Sequence, residues 1–253
     1  MTNNIAMFSI FKKKTYLIDQ MGDFYDVHCH LLWGVDDGCR SAEHSCELAR
    51  EMVEVGFKGV YLTPHIIYGL YGNNTEEGLR AQMGQMPDVA PLEVRLAAEY
   101  YLDEGFASHI SGESPMLTFE GDWVLVEYGL GAQRVSHQEE LFELALSGKN
   151  VVVAHPERYA FLAEGHNLAE LSRLTDRNYA LQLNLLSLTG YHGEKSRRIA
   201  EELLLAGRYT FVGSDTHSRV YTKAIREGVI SPKVVEPLQE LMANNKSILW
   251  GKK

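Results

Sequence analysis

Asp26-Val27-His28-Cys29-His30, with Gly34-Val35-Asp36-Asp37-Gly38 just after it, is the stretch on which the fold turns. Residues 24–30 have the apolar, aromatic and β-branched character of a buried strand. Side chains alternate across a strand, so His28 and His30 share one face and Cys29 points away. At about 3.3 Å of rise per residue their Cβ atoms lie roughly 7 Å apart, near enough for both imidazoles to meet one ion. Taken alone, the pair reads as well as two chance surface histidines. The Asp-Asp-Gly turn adds carboxylates just beyond the strand end.

Similar strand-length runs recur at 57–63, 94–99, 123–127, 151–155, 180–184 and 209–214. Helix-period stretches with end signals lie between most of them. Ser136 with Glu139 forms a capping box before a helix at 140–147, and Gly148 stands where it stops. Asn167 with Glu170 does the same before 168–177. A helix at 194–206 ends at Gly207, and Ser231-Pro232 opens the last one. Alternating strands and helices predict a mainly parallel sheet. Seven such strands suit an α/β barrel one strand short of eight, with an open doubly wound sheet as the alternative. We expect a single domain over residues 21–253, preceded by a loosely attached lead at 1–20 whose Lys12-Lys13-Lys14 is a solvated face.

The strand ends carry the chemistry. Thr63-Pro64-His65, Ala98-Glu99, Val126-Glu127, Ala154-His155 and Ser214-Asp215-Thr216-His217 each place a histidine or carboxylate where a barrel opens. One such residue would be a core histidine or a cap; six strand ends obeying one rule point to a site. The donors His28, His30, Asp37, His65, Glu99, Glu127, His155, Asp215 and His217 mix nitrogen and oxygen without thiolate, which suits divalent ions such as manganese, iron or zinc. They are too many for one ion and would serve two or three. Three divalent ions against four carboxylates, with Arg158 nearby, make a cationic pocket suited to a phosphoryl dianion and to metal-assisted phosphoester hydrolysis.

Composition narrows the rest. The chain has 253 residues, 24 Lys+Arg against 34 Asp+Glu and a formal charge of −10. That balance speaks against nucleic acid as a partner, and no apolar run reaches the length of a membrane span. The apolar patch at 5–11 precedes its lysines rather than following them, unlike a secretory signal, so we expect a cytoplasmic protein. Cys29, Cys39 and Cys46 form no CxxC pair and are expected to stay reduced. No phosphate loop, GxGxxG or GxSxG motif occurs.

The opening segment, Ala98-Glu99-Tyr100-Tyr101, Ala154-His155-Pro156-Glu157-Arg158-Tyr159, residues 182–190 and Gly213-Ser214-Asp215-Thr216-His217 resemble, in order, the PHP (polymerase and histidinol phosphatase) superfamily. The similarity runs over about residues 24–250 and is nearest to the bacterial PHP-type protein-tyrosine phosphatases of capsule and exopolysaccharide operons. It implies a distorted (β/α)7 barrel and a phosphoric monoester hydrolase. It implies two to three divalent ions, manganese by preference. By that pattern His28, His30, Glu99 and Asp215 hold one ion, Glu99, Glu127 and His155 a second, and Asp37, His65 and His217 a third. Arg158 would steady the phosphate. Some members carry further basic residues after the second-strand histidine and after the last DxH; here Ile66-Ile67-Tyr68 and Ser218-Arg219 stand there, leaving Arg219 either a second phosphate contact or a solvated charge. Asp26 is expected either to orient an imidazole or to be a polar residue of the strand edge. The implied partner is the phosphotyrosine tail of a bacterial tyrosine kinase, and a homo-oligomer is compatible with the resemblance. Rival readings are a small-molecule phosphatase of the histidinol-phosphate kind and a non-catalytic metal-binding scaffold. Tyr68, Tyr71, Tyr100, Tyr101 and Tyr128 are expected mostly to cover the barrel, Asn184 to bond a phosphate oxygen or its own loop, and His44, His109, His137, His166 and His192 to be structural.

Overall fold

Each expected strand forms, and together they close a ring. In the computed structural model, which describes residues 14–72, 74–129, 136–163 and 177–251, β1 is Phe24–Cys29 and β2 is Phe57–Leu62, resuming as His65–Ile66. β3 is Glu93–Leu96, resuming as Glu99–Tyr101; β4 is Trp123–Glu127, β5 Asn150–Ala154, β6 Ala180–Asn184 and β7 Phe211–Gly213. Neighbours pair in parallel from β1 through β7. The breaks in β2 and β3 do not shift the register: Leu62 faces Leu96 and His65 faces Glu99. Pro64 has no N–H for the ladder, but its carbonyl accepts from Glu99 N at 3.1 Å and carries the pairing across the gap.

The seam between β7 and β1 is closed largely by side chains. Two backbone bonds cross at its upper end, Asp215 N to His28 O (2.8 Å) and His30 N to Thr216 O (3.0 Å). Below them, buried Asp26 accepts from Ser214 N and Ser214 Oγ as well as His28 N. Lower still, Asn245 donates to Tyr25 O and Val212 O and accepts from Val212 N. Asn245 ends the last of six helices of two turns or more among the described residues: α1 Ala42–Glu54, α2 Glu76–Met83, α3 Ser136–Leu146, α4 Glu194–Leu205, α5 Arg219–Glu227 and α6 Val235–Asn245.

Alternation along the strands sorts the side chains. Val124, Val126, Val151, Val153, Leu181 and Leu183 join the large apolar core shared with the helices. Their neighbours Leu125, Val152, Ala154 and Ala180 join Phe211, Tyr61, Leu249 and Trp250 in a smaller cluster that fills the barrel. Polar residues take over the inner face only near the strand ends, which sets the depth of the site.

Gly148 and Gly207 take positive φ just past α3 and α4, as their placement predicts. α3 begins at Ser136, several residues before the expected start. Pro232 starts a 3₁₀ turn that leads into α6. The proposed helix at 168–177 and its Asn167/Glu170 box lie almost wholly outside the described residues, as do Lys12 and Lys13. The described part of the lead is not loose: Thr15–Tyr16 pairs with Val229–Ile230, and Leu17 is fully buried. No helix among the described residues is long and apolar enough to cross a membrane.

Candidate metal centre

All nine expected donors converge at the C-terminal mouth of the barrel. Donor atoms of His28, His30, Glu99 and Asp215 lie within 4.8 Å of one another, as do those of His30, Asp37, His65 and His217, and those of His65, Glu99 and Glu127. His155 Nε2 reaches Glu99 Oε1 at 3.3 Å and Glu127 Oε1 at 3.6 Å. Glu99 sits at the centre, its Oε2 3.0 Å from His28 Nε2, 3.4 Å from His30 Nε2 and 3.2 Å from His65 Nδ1.

The residues behind these donors fix which atoms face the centre. Gln182 Oε1 lies 2.9 Å from His28 Nδ1, and Asp36 Oδ2 lies 2.8 Å from His30 Nδ1. An acceptor at each Nδ1 assigns the proton there and leaves Nε2 a bare lone pair. The two Nε2 atoms then face one another at 3.2 Å, with Asp215 Oδ1 3.4 and 3.5 Å away. Lone pairs converging in a buried site without a shared proton repel unless a cation sits among them. Glu99 Oε1 and the Nδ1 atoms of His65 and His155 are also buried without a hydrogen-bond partner. The donor set therefore fits divalent metal.

Charge tells the same story. Burial disfavours ionised Glu99, but positive charge on its His28 and His65 side outweighs it and holds the carboxyl well below its usual range, a place that a cation takes where the imidazoles are neutral. Glu127 is pushed well above it, by burial and then by Glu99 and Asp215. Burial and then Arg158 lower His155 to about 4. Three carboxylates crowded in a dry pocket call for compensating positive charge.

Backbone and small residues make the room. His155 and Asp215 hold positive φ of 29° and 56°, unusual for residues with a Cβ, where β5 and β7 end. Gly213 is required by packing: a Cβ there would stand 2.5 Å from His28 Cβ and 2.8 Å from Gln182 Nε2.

Asp36 and Asp37 divide their work. Asp37 Oδ1 lies 3.6 Å from His65 Nε2 and 3.4 Å from His217 Nε2, in the cluster. Asp36 faces inward, holding the His30 ring and accepting from Gly38 N and His65 N. Arg158 Nη1 reaches Asp215 Oδ2 at 2.5 Å, at the edge of the cluster. Arg219 is not brought there. Its guanidinium binds Glu51 on α1, so the phosphate-contact expectation gives way to a helix-to-helix ion pair. Asp26 touches no imidazole ring; it secures the seam, and Gln182 does the orienting expected of it.

Gln182 and Glu157 take part without any role expected from the sequence, and His192 was expected to be structural. Gln182 was detectable as an inward polar residue two positions before Asn184 on a strand otherwise apolar. Buried Glu157 accepts from Asn184 N, Ser187 Oγ and Tyr209 OH, bracing the turn that carries Arg158. Asn184 donates to Asp215 Oδ2 at 3.1 Å and lies 3.2 Å from His192 Nε2, so His192 belongs to the rim of the site. His109 sits against Tyr100 and Ser114, away from the cluster. His166 and the side chain of His137 lie outside the described residues. Tyr100 and Tyr128 are core, whereas Tyr68 is exposed.

A family model for capsular polysaccharide synthesis, CpsB/CapC, matches residues 24–228. The chain belongs to the CpsB/CapC family. Among CpsB/CapC relatives, it is 27% identical over 198 residues to tyrosine-protein phosphatase YwqE of Bacillus subtilis, covering 76% of this chain and 77% of that one. It is 26% identical over 204 residues to tyrosine-protein phosphatase CpsB of Streptococcus pneumoniae, covering 76% and 82%. A crystal structure from work on YwqE and CpsB, described as unique metal-dependent tyrosine phosphatases, superposes with a TM-score of 0.70 at 23% identity, covering 90% of this chain and 95% of that one. The barrel expected from alternating strands and helices and from the PHP-like motifs is thus the fold observed.

Proposed function

We propose that this chain is a metal-dependent protein-tyrosine phosphatase acting on the phosphotyrosine tail of a tyrosine kinase that controls capsule or exopolysaccharide synthesis. The observation that carries the reading is the convergence of nine nitrogen and oxygen donors, with Arg158, at one barrel mouth. The activity named for YwqE and CpsB supports the choice of phosphotyrosine. His28, His30, Glu99 and Asp215 would hold one divalent ion, Glu99, Glu127 and His155 another, and Asp37, His65 and His217 a third, manganese by preference. Bound ions would supply Lewis acidity and lower the pKa of water.

The protein's own groups then have defined tasks. Gln182 and Asp36 keep two imidazoles in the tautomer that presents Nε2. Asn184 holds Asp215 Oδ2 while Oδ1 faces the cluster. Arg158, braced through Glu157, would turn a donor toward a phosphate oxygen. A flexible tail suits this mouth because an extended segment delivers its side chain without unfolding a domain. Three free cysteines support a reducing, cytoplasmic setting.

The test is phosphate release from a tyrosine-phosphorylated peptide, with histidinol phosphate as comparator. Release should need added Mn²⁺, stop with chelator, and fall at least about 10³-fold in His28→Ala or Asp215→Ala with the fold retained by circular dichroism. Chelator-insensitive turnover, or a preference for histidinol phosphate, would refute the reading.

A further inference from the structure

Beside the cluster lies a second cavity, between residues 66–72 and 74–76 at and beyond the end of β2 and residues 100–115 at and beyond the end of β3, with a volume of about 400 Å³. None of the nine donors lines it, yet it adjoins them. Tyr71 on its wall lies parallel to the His65 ring, with centroids 6.3 Å apart, and Tyr101 stands two residues beyond Glu99 on the same strand. Phe106 adds a third aromatic wall. Asp103 and Glu113 also line the cavity, and no lysine or arginine is among its described lining residues. Asp103 spends its oxygens on the backbone N–H groups of Tyr68 and Gly105, and neither acid forms an ion pair with a lysine or arginine among the described residues; His109, also on the wall, is held toward its neutral form by burial. Glu76, at the same wall, is already matched by Arg80.

We propose that this cavity is a side-chain subsite for a lysine or arginine that flanks the phosphotyrosine of the protein substrate. Aromatic faces attract a cation through their quadrupole, and unmatched carboxylates add charge. The same walls cover the aliphatic stem. An acidic flanking residue would meet like charge, and an apolar one would desolvate the carboxylates without pairing them. Because the cavity touches the His65 side of the cluster, one short peptide can fill both, and the second contact is gained intramolecularly.

The inference rests on the phosphatase reading, and the experiment separates the two. Phosphotyrosyl peptides carrying Lys, Arg, Ala, Tyr or Glu at each position within three residues of the phosphotyrosine are compared by kcat/KM on the metal-loaded enzyme. At one position Lys or Arg should exceed Ala by about five-fold, chiefly through KM, with Glu below Ala. Glu113→Lys should erase that preference and leave turnover of p-nitrophenyl phosphate unchanged. Equal values across the series, a preference for Tyr, or a cation preference that survives Glu113→Lys would overturn the subsite. If no peptide is hydrolysed, the phosphatase reading fails, and fluorescence-polarisation binding of the same peptides decides the subsite by itself.

Discussion

Gln182 shows how one neutral residue tunes a charged centre. Its Oε1 accepts from His28 Nδ1 and so directs Nε2 to Glu99 and Asp215. Removing the acceptor frees the ring to flip its proton or rotate. Gln182→Ala should weaken metal binding about 10–100-fold in chelator competition, whereas Gln182→Glu, which keeps an acceptor for the same proton, should hold affinity near wild type. Equal affinities in all three would mean that packing alone orients the ring. Asp36 does the same for His30, which is why one acid of the Asp-Asp pair is buried and the other side chain is 58% exposed and available to the mouth.

At the level of elements, the seam between β7 and β1 is the barrel's weak join. Its lower half relies on the Asn245 side chain at the end of α6, with three bonds to the two strands. Asn245→Leu would leave buried peptide groups of Val212 and Tyr25 unpaired, at a cost of about 3 kcal/mol. For a chain of this size that predicts a fall in Tm of roughly 6–12 °C in thermal denaturation. A shift under about 2 °C would show that water replaces the amide. His28 and Asp215 flank this join, so the seam that closes the fold also sets the spacing of the donors.

For the whole molecule, net charge and local charge pull apart. The chain is acidic overall, while the buried donor cluster at its barrel mouth gathers carboxylates that repel one another without cations. Metal should therefore stabilise the fold as well as serve the reaction. With free Mn²⁺ at about 100 times Kd, linkage contributes roughly 2.7 kcal/mol, and stripping with chelator should lower Tm by about 5–10 °C. An unchanged Tm would count against metal in the cluster. The large apolar core persists in either state, so the stripped protein should stay folded at 25 °C.

Much was decided by local sequence. Alternating strands and helices fixed the class, and donors at six strand ends marked the mouth, because in parallel barrels every strand delivers its end to one rim. What the chain order could not reveal depends on contacts between distant segments. Arg219 looks well placed from its neighbour His217, but α1 lies close enough for Glu51 to capture it. Asp26 is two residues from His28, yet Ser214 on the far side of the seam takes both its oxygens. Gln182 gains its role only when the ring closes and sets it against His28. Spacing along one strand determines which side chains share a face; which partner each then meets is decided by packing across the barrel, where charge and hydrogen-bond geometry act through space.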